Sequence, residues 1–247
     1  MKNILYLFLF LFQISVAQSA FEKGNEFYQK ENYQAAITSY ESILKSGKHS
    51  ADLYFNLGNC YYKSHKVAPA IYNFEKALLL NPSDKEIQTN LEFAKKMAID
   101  DIKVIPKVGF HKLIHDFTST YYYDTWAWIA VTLAFLFLLF FIGYYFSQTT
   151  LLKRVFFFGM FALLVGITLS VSAGIYEKTQ YENEKPAIVF AEIVSVKSEP
   201  KSTSPDAFVL HEGAKVYILE SIANWKKIEL TDETTGWIEA SSIKELK

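Results

Sequence analysis

The 247 residues are 51% hydrophobic and 17% aromatic but only 21% charged, with a net charge of -1. That apolar content excludes a disordered chain, and the single cysteine excludes a disulfide scaffold. A near-neutral chain without a Lys/Arg cluster argues against nucleic-acid binding. The composition is also uneven: nine of the 21 Phe fall in residues 126–176, where Lys153 and Arg154 are the only charges.

The chain opens on a pattern expected of a secretory signal, residues 1–17. Lys2 gives the positive end, Ile4 to Phe12 an apolar run, and Ser15-Val16-Ala17 the small residues of a cleavage site. The other reading is an uncleaved anchor, but the 14 residues from Ile4 to Ala17 fall short of the roughly 20 needed to span a bilayer.

Residues 18–99 align on themselves at an offset of 34, with Gly24-Asn25 on Gly58-Asn59, Ala36 on Ala70 and Tyr40 on Phe74. The period predicts two helix–turn–helix repeats, about 17–50 and 51–84, with a closing helix at 85–98. In the second copy Tyr54, Leu57, Gly58, Tyr61, Ala70, Phe74, Ala77 and Pro82 stand where the tetratricopeptide (TPR) pattern has its key residues. Small Gly58 and Ala70 let helices approach. Tyr54, Leu57, Tyr61 and Phe74 fill the space between them, and Pro82 stops the second helix. Ile87, Leu91 and Phe93-Ala94 read as the apolar stripe of the closing helix. Cys60 reads as a buried core residue, with a reactive thiol as the sharper alternative.

A TPR stack presents a groove lined by the first helix of each repeat. In register, Phe21, Asn25 and Tyr28 face Phe55, Asn56, Asn59 and Tyr62, with Asn90 of the closing helix alongside. Asn side chains can hold an extended peptide backbone and the aromatics give it apolar footing. The bland alternative is that these Asn merely cap and solvate helices. One TPR subclass grips a C-terminal carboxylate with a Lys one turn before the first Asn. Here that position is Phe21, and the third-repeat positions are Glu86 and Asn90, so a carboxylate clamp is not expected.

Residues 100–125 read as a juxtamembrane linker, and its segment Val108 to Phe117 has an amphipathic pattern suited to a membrane surface. His111 and His115 stand at i, i+4, but no third ligand is in register, so no metal site is expected. Residues 126–146 and 155–175 are each 21 residues without a charge, long enough to cross the hydrocarbon core. Trp126, Trp128, Tyr144 and Tyr145 sit at the ends of the first, where such rings prefer the interface. The loop 147–154 holds Lys153-Arg154 and is expected to be cytoplasmic, which puts both flanking regions on the periplasmic side; the signal independently predicts that side for the N-terminal region. Neither span carries an ionisable residue, which disfavours a transporter. Small residues along the second, Gly159, Gly166, Ser170, Ala173 and Gly174 among them, predict packing against the first span or a partner's helix.

After a short linker at 176–185, residues 186–247 change to short β-rich runs between turn clusters, which predicts a small sandwich or barrel. The runs Leu210-His211-Glu212-Gly213-Ala214-Lys215-Val216, Trp225-Lys226-Lys227-Ile228 and Gly236-Trp237-Ile238 resemble the bacterial SH3 family. Trp225 and Trp237 are core-edge packing or a ligand face, with neither reading preferred. The expected fold is therefore multi-domain: an α-helical TPR solenoid, a two-helix transmembrane hairpin and a small all-β SH3-like barrel.

The whole order resembles the TPR/SH3 membrane proteins of the Bacteroides aerotolerance (Bat) operon, BatE type. The shared marks are Asn56-Leu57-Gly58-Asn59, Trp126-Ala127-Trp128 and Phe208 to Gly213. The resemblance implies an inner-membrane partner of von Willebrand A-domain and Bat-type proteins and of a MoxR-type ATPase, with a role in aerotolerance or envelope stress.

No Gly-rich phosphate loop, G-x-S-x-G, H-E-x-x-H or C-x-x-C pattern occurs, so neither an enzyme nor a cofactor is expected. Two recognition folds on one hairpin fit a scaffold that binds envelope proteins. The other class is a wall-binding module that recognises peptidoglycan through the SH3 domain.

Overall fold

The computed structural model describes residues 20–102 and 109–247, without the side chains of Phe110 and His111. The expected signal at 1–17 lies outside the described residues, as do part of the 100–125 linker and the His111 side chain. The described residues form two compact units, 20–102 with 185–247, and 109–184.

In the first unit, residues 20–29 (α1) are helical, followed by α2 (Tyr33–Lys45), α3 (Ala51–Lys63), α4 (Val67–Leu80) and α5 (Lys85–Lys95). Side-chain caps set the starts: Asn32 accepts from the Ala35 amide, Ser50 from Leu53, and Asp84 from Glu86 and Ile87. The turns inside the two repeats match. Glu31 (φ 58°) and His65 (φ 56°) both adopt the left-handed conformation. The next amides, of Asn32 and Lys66, reach back to the Phe27 and Tyr61 carbonyls. Both are Schellman closures, which satisfy helix-end carbonyls that would otherwise be orphaned. Packing repeats as well: Gly24 lies against the Tyr40 ring, and a methyl on Gly58 would fall 2.6 Å from the Phe74 ring. On α5, Ile87, Leu91 and Ala94 are buried, but Phe93 is 48% exposed and leaves the expected stripe.

Seven strands follow: β1 (Pro186–Val189), β2 (Ile193–Lys197), β3 (Asp206–His211), β4 (Lys215–Ile222), β5 (Trp225–Glu229), β6 (Thr235–Glu239) and β7 (Ile243–Glu245). They form one antiparallel sheet in the order β3-β2-β6-β5-β4-β1-β7. Val189, Val196, Leu210, Val216, Ile228 and Ile238 share its core. The expected barrel is corrected here: the sheet is not closed. β3 and β7 remain unpaired edges, and β6 joins β2 through a single residue pair, Lys197 with Trp237. The chain just past β7 is used on the helices. Leu246 is buried in the helical core, and its carbonyl accepts from Lys76 Nζ at 3.0 Å.

The second unit holds α6 (Gly109–Thr118), α7 (Tyr123–Phe146) and α8 (Thr150–Asn183). α7 and α8 are long and apolar enough to cross a membrane. They pack antiparallel, with the small residues of α8 receiving large ones of α7. A methyl on Gly166 would meet Leu133, one on Gly174 would meet Trp126, and Gly159 faces the Phe140 ring. Lys153 and Arg154 fall inside the first turns of α8 rather than in a loop, leaving residues 147–149 as the connection. The Leu-rich stretch before them is a good helix former, so the ladder starts early.

Candidate functional site

The groove begins with the 34-residue period. Because α1 and α3 are equivalent, and α3 and α5 stand in the same relation, the same side-chain bridge forms twice. Asn56 Nδ2 donates to Asn25 Oδ1 at 3.2 Å, and Asn90 Nδ2 donates to Asn59 Oδ1 at 3.0 Å. Asn25 Oδ1 also accepts from the Tyr40 hydroxyl at 2.6 Å. Burial, with Cys60 nearby as a lesser cause, pushes Tyr40 up to about 12, so the hydroxyl stays a donor at physiological pH. The four Asn are therefore tied across successive helices, a role the capping alternative did not include. Each amide has more hydrogen-bonding capacity than these bonds use.

All of the expected groove residues, Phe21, Asn25, Tyr28, Phe55, Asn56, Asn59, Tyr62 and Asn90, are half-buried. The aromatics divide between packing and surface: Phe21 packs on Tyr40 with centroids 5.6 Å apart, and Phe55 on Phe74 at 5.9 Å. Phe93, one turn beyond Asn90, extends the apolar footing, which sequence reasoning placed in the core. Cys60 is fully buried, and burial raises its thiol to about 12, which makes it inert at neutral pH. Among the described residues no cluster of His, Cys, Asp and Glu could hold a metal.

The other candidate face lies on the sheet. Trp225 pairs with Glu239, and Trp237 with Lys227 on β5 and Lys197 on β2. This register makes the two Trp diagonal neighbours on one face. Trp225 is half-buried, while Trp237 is only 9% exposed and flanked by two lysines.

Sequence reasoning missed a third constellation, where the sheet docks on α4, the second helix of the second repeat. Glu75, buried, pairs with Lys215 at 2.7 Å. Asp100 takes the His211 amide at 2.7 Å and Nδ1 at 2.8 Å. Lys244 sits 4.2 Å above the Tyr72 ring, which meets Phe190 edge-on. Gly213 (φ 90°) lets the β3–β4 turn close on α4, since a methyl there would fall 2.9 Å from Ile71 and from Val67. Lys76 is held below the ordinary lysine pKa by burial and by Lys244. The signal was present in part: the run Phe208 to Gly213, singled out as a shared mark, holds two of these contact residues, His211 and Gly213. Nothing in the sequence says that Lys215, 140 residues downstream, meets Glu75.

The repeats are found by comparison as well. Tetratricopeptide repeat family models match residues 51–84 and residues 24–64, so the chain carries TPR repeats. It is similar to Hsp70-Hsp90 organizing protein 3 of Arabidopsis thaliana, 29% identical over 72 residues. That match covers 29% of this chain and 13% of the relative's length.

Proposed function

We propose that this protein is a non-catalytic, membrane-anchored scaffold whose TPR groove binds a segment of a protein partner. TPR repeats point to protein–protein interaction, and a relative that matches over 72 residues is named as an organizing protein. The observation that carries the reading is the contrast between the faces of the repeats. The α4 side is sealed by the sheet, whereas the face of α1, α3 and α5 keeps half-buried Asn and aromatic side chains with bonding capacity to spare.

On this reading α7 and α8 span the inner membrane. The short connection beside Lys153-Arg154 is cytoplasmic, and the repeats and the SH3-like sheet are periplasmic. The clients are envelope proteins of the Bat type, with aerotolerance or envelope stress as the setting. The test is capture from lightly cross-linked envelopes by the tagged full-length protein, followed by mass spectrometry. Asn59→Ala with Tyr62→Ala should lower client recovery by about tenfold or more, the scale of two lost interface anchors, with helicity unchanged. Equal recovery from a folded double variant overturns the groove. Peptidoglycan fragments in place of a stoichiometric protein would move the function to the sheet.

A further inference from the structure

Within residues 109–184, α6 presents an apolar side that stays exposed among the described residues. Leu113 is 67% exposed and Phe117 is 49% exposed. They stand at i and i+4, on one side of the helix. Tyr121, 48% exposed, continues the patch past the helix end. The adjoining arc, about 100° round the helix, is polar, with Lys112 and Asp116 paired at 2.6 Å. Ile114 is half-buried and Thr118 buried, as α6 packs on α8.

The helix is also fixed in level. Trp126 Nε1 donates to the Thr118 carbonyl at 2.8 Å, and its ring packs on Phe117 and Tyr121 with centroids 5.2 and 5.4 Å away. Trp126 opens the uncharged run of α7 and lies against Gly174, near the end of the uncharged run of α8. In a bilayer that is the height of the interface, where indole rings settle.

The geometry points to α6 as a third membrane-contacting element, its Leu113–Phe117 face set into the headgroup–acyl boundary of the bilayer that α7 and α8 cross. This rests on the membrane-anchored reading above. Lipid is the occupant because the patch adjoins the outward apolar surface of α7. The paired charges of Lys112 and Asp116 leave no basic stripe for anionic headgroups, so contact is apolar and indifferent to lipid charge. Water would leave Leu113 and Phe117 without the gain that burying such side chains brings.

The test is nitroxide accessibility of the full-length protein in phosphatidylcholine nanodiscs, in a Cys60→Ala background. Labels go on Lys112→Cys, Leu113→Cys, Asp116→Cys and Phe117→Cys, with Phe135→Cys on α7 as the lipid reference. Positions 113 and 117 should show an oxygen-to-nickel accessibility ratio above one, as 135 does, with 112 and 116 below one. Anionic lipid should leave these ratios unchanged. A ratio below one at 113 and 117, with 135 still above one, overturns the α6 assignment and leaves the spans intact. A ratio below one at 135 overturns the spans themselves. Exclusion of both reagents at 113 and 117 means that protein covers the face, which also overturns the proposal.

Discussion

The two compact units use the same side chains in opposite ways. In the unit built from the chain's two ends, Phe74 is fully buried beneath Gly58, and the repeats and the sheet share one apolar core that includes Ile188 and Leu246. In the α7–α8 unit, Phe135 is 67% exposed and Phe161 is 68% exposed, while the helices meet along a seam where small residues receive large ones, such as Gly159 and the Phe140 ring. Burial from water organises the first unit. The second leaves its largest apolar groups pointing outward, the arrangement suited to a solvent as apolar as they are. A phenylalanine count alone does not separate the two; its pattern along the helix does.

That contrast breaks most visibly in a pair of truncations. Phe74→Ala should destabilise the repeats by about 3–5 kcal/mol, because it opens a cavity in a packed core. Cys60, inert while buried, should then react with thiol reagents at a lower urea concentration. Phe135→Ala should shift the melting of the full-length protein in detergent by less than about 0.5 kcal/mol, since apolar solvent replaces the lost ring. Equal losses at the two sites would mean that protein, rather than lipid, covers α7.

The joint between repeats and sheet sharpens the comparison at a smaller scale. Gly213→Ala places a methyl against Ile71 and Val67 in a left-handed turn, and should cost about 1–3 kcal/mol. Glu75→Ala removes the buried carboxylate that joins α4 to Lys215 of the sheet, and should cost a similar ~1–3 kcal/mol. In limited proteolysis both variants should release the sheet from the repeats while the α7–α8 pair stays protected. A joint that survives both changes would mean that the ring contacts of Tyr72 with Phe190 and Lys244 suffice.

The smallest effect lies on the sheet surface. Asp206 is held below the usual carboxylate pKa by its bonds to Lys197 and Ser195. A depressed folded-state value stabilises the fold above the unfolded value of about 3.9, and that gain is lost as pH falls through the lower folded value. Wild type should therefore exceed Asp206→Asn slightly in urea midpoint at neutral pH, and the gap should close in acid. A gap that widens in acid would reverse the sign of the linkage.

Much of this was legible in one dimension. The 34-residue offset located Gly58 against Phe74, and it also pairs Glu31 with His65, whose shared turn conformation could have been read from the same alignment. Because Asn25 is equivalent to Asn59 and Asn56 to Asn90, a bridge formed once had to form twice. Phe93 was misplaced because a short closing helix has neighbours on one side only. An apolar residue just off the Ile87–Leu91–Ala94 stripe therefore stays at the surface.

The sequence by itself determined the repeats, the two long apolar helices and the β character of the C-terminal region, because each is written as a local period that backbone geometry must satisfy. Only the tertiary structure decided that the sheet stays open and that Leu246, just past β7, packs into the helical core. It also decided that Glu75 finds Lys215 and Asp100 finds His211. Those outcomes depend on which surfaces meet after more than a hundred intervening residues, and shape and charge complementarity at such a distance leave no periodic trace in the chain.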